Sequence, residues 1–150
     1  MRTTLAVILL SLMTVGCSSF NREWKSALET PVRPGSVEGC WGGSWISDVS
    51  GHNGRLRCII TPGEETREYR AFYKATYKRI LTFAYAVPMQ TVSTNGSYRL
   101  SGAHDLGALA GGVYSYEATI KGDHFTATYT SRWDYGEFRM ERAEDQRQER

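Results

Sequence analysis

Proline, cysteine and long apolar runs are all scarce in this chain, and each shortage excludes something. Four prolines among 150 residues, beside fifteen glycines, nine Tyr, five Phe and four Trp, do not describe a disordered chain. Three cysteines are too few for a disulfide-built scaffold. The longest apolar stretch, residues 5–13 (LAVILLSLM), is about half of the ~20 residues a spanning helix needs. The formal charge of +2 falls to 17 basic against 16 acidic residues once a leader containing Arg2 is removed. That balance supplies no basic stripe, so no nucleic-acid partner is expected. No Gly-x-Ser-x-Gly elbow and no pair of histidines at helical spacing occurs, and His52, His104 and His124 fall in three separate segments. No metal, cofactor or catalytic set is therefore expected.

What is present begins with Met1-Arg2, the short apolar run and Thr14-Val15-Gly16-Cys17. This start resembles the leader and lipobox of bacterial lipoproteins, with Thr14 standing where that family usually has Leu. The resemblance implies removal of residues 1–16 and a diacylglyceryl thioether and acyl amide on Cys17. It also implies a location in the cell envelope. Ser18 after the cysteine implies export to the outer membrane, facing the periplasm, in a Gram-negative cell. The expected partner is then the membrane itself, through the lipid.

Residues 17–38 read as the lipidated start and a linker. Asn21 can cap a short helix through Glu29 that places Trp24 and Leu28 on one face, and Pro31 and Pro34-Gly35 stop it. Residues 143–150 read as a charged, solvated tail.

Between them, residues 39–142 alternate with period two. Trp41, Gly43, Trp45 and Ser47 share one side of an extended segment, and Leu56, Cys58 and Ile60 share one side of the next. Residues 50–54 (SGHNG) carry turn chemistry, with Asn53-Gly54 as the tight turn. Tyr69, Tyr73 and Tyr77 line one face of a third strand, Pro88 is expected to end a fourth, and Asn95-Gly96 marks another turn. Three further strands and a last one ending near Glu141 make about eight. Connections too short for a crossover helix favour an all-β antiparallel meander, closed as a barrel or, alternatively, folded as a β-sandwich.

Gly39-Cys40-Trp41 or Gly43-Ser44-Trp45, with Arg139 or Arg142 on the final strand, resembles the lipocalin and wider calycin pattern. There, a Trp plugs one barrel end beneath an Arg. Trp41, Trp45 and Arg142 are the structural residues this implies. The Trp-rich start and Gly-x-Phe ending also resemble envelope lipoproteins to which no activity is attached.

Three side-chain sets are left to weigh. Cys40 and Cys58 are a candidate disulfide pair in an oxidising compartment. With Asn53-Gly54 as the turn, however, Cys58 lies opposite Val49, and Cys40 is about 30 Å along the strand. Tyr69, Tyr73, Tyr114 and Tyr116 are candidate ligand-binding residues if their faces coincide, or simply core. His104-Asp105 is the one local imidazole–carboxylate neighbour, with Asp105 better placed to cap the turn that follows.

The leading expectation is a lipid-anchored envelope protein with a non-catalytic binding or structural β domain that contacts another envelope protein. Its alternative is a lipocalin-like carrier of a small apolar ligand, and an enzyme ranks third.

Overall fold

The computed structural model describes residues 19–143; the leader, Cys17 and the charged tail from 144 onward lie outside them. Eight strands run β1 (Gly39–Ser47), β2 (Asn53–Pro62), β3 (Glu68–Tyr77), β4 (Leu81–Thr94), β5 (Ser97–Asp105), β6 (Val113–Lys121), β7 (His124–Thr130) and β8 (Tyr135–Arg142). Each pairs antiparallel with the next, and β8 returns to β1, closing the barrel. The protein is all-β, consistent with the calycin-like barrel rather than the sandwich. Closure leaves no strand unpaired along its whole length on either side.

The period-two pattern decides which side chains point inward. In β6, Tyr116, Ala118 and Ile120 are buried while Glu117, Thr119 and Lys121 are exposed, and β7 and β8 repeat this with Phe125, Ala127, Tyr129, Phe138 and Met140. The outward positions of these strands and of β5 include Arg99, Thr126, Thr128 and Arg139, all exposed. A barrel that crosses a bilayer carries an apolar outer belt, and this wall does not.

The first hairpin differs from its sequence reading. Trp41 pairs with Cys58 and Ile46 with Asn53, so the turn is residues 48–52, with Gly51 at φ 69°, and Asn53-Gly54 already belongs to β2. Gly54 is there because the wall is tight: a Cβ would collide with the Thr76 carbonyl oxygen of β3. The shifted register also corrects the cysteine geometry. Cys40 pairs with Ile59, next to the Trp41–Cys58 pair, but the two thiols lie on opposite faces of the sheet. Cys58 packs inside the barrel and Cys40 outside it, both are free, and the candidate disulfide is not formed.

Pro88 does not end β4. Thr91 donates to the Arg67 carbonyl (2.9 Å), so the odd residues of β4 bond β3 and the even ones face β5. Proline's missing N–H therefore points at β5, where pairing starts only at Met89–Gly102. From Leu81 to Pro88 the strand is held by β3 alone.

The linker helix, α1 (residues 19–29), is docked rather than free. Phe20 is fully buried against Phe72 (ring centroids 5.0 Å) with Cys40 and Ile59 beneath it, and Trp24, Ala27 and Leu28 complete the patch. Arg57 lies over both the Phe20 and Trp24 rings, at 5.3 and 5.1 Å.

Two hairpins contrast. β4–β5 turns through Asn95 and Gly96, both at positive φ, as the tight turn prefers. β3–β4 turns through Lys78 (φ 48°) and Arg79 (φ 62°), side-chain-bearing residues held left-handed at a cost of roughly 1–2 kcal/mol each.

Candidate functional site

An up-and-down barrel has two ends, and here they differ in chemistry. At the end where the chain enters β1, Trp41 is fully buried and donates from Nε1 to the Val37 carbonyl (3.1 Å). The Arg142 guanidinium sits 4.3 Å from its ring centroid. All of its nitrogens are used: Nε donates to Asp123 (2.9 Å), Nη1 to the Glu38 carbonyl (2.9 Å) and Nη2 to the Ser36 carbonyl (2.6 Å). Gly39, at φ 114°, lets the chain pass this close, since a Cβ would stand 3.2 Å from Arg142 Nη1. The stack seals the end and clamps the incoming segment. Of the two Trp and two Arg candidates, the structure pairs Trp41 with Arg142. Arg139 faces outward on Glu137 (2.8 Å), and Trp45 lies toward the other end, donating to the Thr76 carbonyl (3.3 Å).

Above this plug the barrel is filled by tyrosines. Tyr73 stacks on Tyr85 (5.5 Å) and on Tyr116 (6.0 Å), Tyr114 on Tyr116 (6.4 Å), and Phe138 packs against Tyr73 and Tyr129. Of the four tyrosines singled out from sequence, Tyr73, Tyr114 and Tyr116 meet in this stack; Tyr69 is half-buried at the Trp41 end. Tyr85 is the central member that sequence reading passed over, because the β4 segment around it is apolar on both sides. The Tyr73 hydroxyl is buried beside the Cys58 thiol. Burial raises the ionisation of Tyr73, Tyr85 and the Cys58 thiol well above their usual ranges. It pushes Tyr116 up to about 12 and, outside the barrel, Cys40 up to about 11. Groups held protonated in the fold stabilise it while the unfolded chain is also protonated, and that advantage disappears as pH rises towards their folded values. The urea midpoint should therefore be level to about pH 9 and fall from there towards pH 11; a flat profile over that window would contradict the burial of these groups.

The opposite end is open. Phe83, inward-facing on the stretch of β4 that leaves β5, is 45% exposed, and His104 stacks on Tyr85 at 6.3 Å. The β1–β2 and β3–β4 turns frame an open cleft of ≈ 760 Å³ lined by His52, Arg55, Tyr77, Lys78 and Arg79. His52 stands over the Tyr77 ring at 4.8 Å. Asp105 accepts from the Gly107 N–H (2.8 Å), closing the turn before the single 3-10 turn Ala108–Ala110. Asp134 is held by Ser47 (2.6 Å) and Tyr129 (3.1 Å). His124 is near Glu141 on the far surface, so the three histidines do not converge, and no metal-binding group occurs among the described residues.

No protein-family model, curated protein or solved structure matches the chain. The geometry therefore carries the functional argument alone. It offers a sealed end, a packed aromatic interior and an open rim with a basic cleft. The cleft was missed from sequence because Lys78-Arg79 reads as ordinary polar turn content. The available signal was that this hairpin lacks the Gly or Asn found in the turns at Gly51 and at Asn95-Gly96.

Proposed function

We propose that this protein is a lipid-anchored component of the cell envelope whose barrel is a non-catalytic binding or structural module of the calycin kind. The observation that carries the reading is the basic start, the nine-residue apolar run and Gly16-Cys17 in direct succession. The docked helix supports it. A chain tethered two residues before α1 presents a rigid body at the membrane instead of one on a loose leash, because Phe20 and Trp24 fasten the helix to the wall. The aromatic interior supports a structural or contact role over transport, since Tyr73, Tyr116 and Phe138 fill the space a carried ligand would need.

A carrier of a small apolar ligand is the second reading. It draws on the exposed Phe83 at the gap beside Pro88, and would require the tyrosine stack to part. A catalytic role draws no support from the separated histidines.

Intact mass of the protein purified from its own membranes tests the anchor. Loss of residues 1–16 with acyl mass on Cys17 is expected; a retained leader or a bare thiol overturns the reading. A small molecule retained in native mass spectra would instead favour the carrier.

A further inference from the structure

Among the described residues, every exposed large apolar side chain except Val92 lies at one end of the barrel. Val49 is on the β1–β2 turn, Ile80 and Leu81 on β3–β4, Leu109 between β5 and β6, and Trp133 on β7–β8, with exposures from 53 to 96%. Ile46, Val113 and Tyr135 stand where their strands meet these same loops. The loops of the opposite end carry Glu64, Glu65, Asn95 and Asp123 instead. Water is a poor solvent for four apolar loop tips in one plane.

Charge follows the same polarity. Arg55, Lys78 and Arg79 gather at the cleft beside Ile80, with Asp48 the acidic neighbour on the adjoining turn. Elsewhere on the rim Arg132 faces solvent, whereas Asp105 is engaged by its own loop and Asp134 by Ser47 and Tyr129. The basic pair is also held in the left-handed conformation that the β4–β5 hairpin of the same sheet fills with Asn95 and Gly96, residues that adopt it at lower cost. Retained strain of this kind points to function.

The direction of α1 identifies the occupant. Glu23 pairs with Arg70 (3.0 Å) near the sealed end, while Asn21 accepts from Lys74 (2.9 Å), one turn of strand closer to the rim. The N-terminal end of α1 therefore faces the open end. Lys78 is four residues beyond Lys74, ~13 Å, and Cys17 is four residues before Asn21, two of those steps helical, for a reach of ~10 Å.

We propose that the open rim docks on an anionic bilayer. The Arg55–Lys78–Arg79 cleft takes a lipid phosphate, and Ile80, Leu81 and Trp133 enter the headgroup layer. This rests on the lipid-anchored reading, and the occupant is the membrane that holds the anchor. Interfacial aromatic and apolar side chains flanked by basic residues are the usual chemistry of such a contact.

The test uses the full acylated protein in phosphatidylcholine vesicles with and without phosphatidylglycerol, reading quenching of Trp133 by brominated lipid, with W133F subtracting the other indoles. Quenching is expected in the anionic vesicles and should fall on adding salt. The double variant K78N/R79G installs the Asn-Gly turn the fold already uses, so its thermal midpoint should not drop. Removing two charges should lower the docked-to-undocked ratio roughly 30-fold, at about fivefold per charge. Trp133 left unquenched in protein that is acylated and floats with vesicles overturns rim docking and leaves the anchor intact. Quenching indifferent to phosphatidylglycerol and to K78N/R79G overturns the phosphate cleft. Rim-dependent dimers in detergent would give the surface to a second copy and overturn the proposal. Protein without acyl mass that fails to float removes the anchoring reading itself.

Discussion

Trp41→Ala is expected to cost about 3–5 kcal/mol, the range for deleting a fully buried large aromatic. For a domain whose total stability is about 5–15 kcal/mol, that is enough to unfold a large part of the population near the growth temperature. Three losses coincide. The indole fills the sealed end against Phe125 (5.8 Å), its N–H satisfies the Val37 carbonyl, and its face carries the Arg142 guanidinium. Without the ring, Arg142 keeps its hydrogen bonds to residues 36, 38 and 123 but loses its platform, so the entering segment should loosen as well. Trp41→Phe separates packing from the hydrogen bond. It should cost less, with about 1 kcal/mol of that loss being the missing donor. Urea melts followed by far-UV circular dichroism measure both, and an alanine variant within 1 kcal/mol of wild type would sink the assignment of Trp41 as the plug.

The second large effect concerns location. With residues 1–17 replaced by an export leader that ends in an Ala-x-Ala cleavage site, the protein should move almost entirely into the soluble envelope fraction after a high-salt wash. The reason is arithmetic. Each buried methylene contributes about 0.8 kcal/mol, so several acyl chains hold the protein permanently, whereas one chain holds only marginally. Salt screens the charged part of the rim's contribution, and a few apolar loop tips on their own hold only marginally. If the exchanged protein still sediments with membranes after the wash, Cys17 is not what retains it.

The sequence made the class of fold readable, because period-two alternation of Tyr, Phe, Ile and Val against charged residues, punctuated by Gly-containing turns, has only one inexpensive solution over short connections. It failed at particular residues for particular reasons. Asn53-Gly54 mimics a turn because the same absence of a Cβ that permits positive φ also permits the close approach of Thr76. Pro88 mimics a strand end because a local pattern cannot say which neighbour its missing N–H would face. Trp24 was undecided until its partners were known: Arg57, Ile59 and Phe72 come from strands more than thirty residues away.

The chain by itself determined the class of fold and the approximate strand count, since these depend on neighbouring residues alone. Closure of β8 on β1 was decided by the tertiary structure, as were the choice of Trp41 with Arg142, the separation of Cys40 from Cys58, and the gathering of apolar and basic loop tips at one rim. Each of those joins residues distant along the chain, and pairing across a closed sheet fixes such distances where no local rule can.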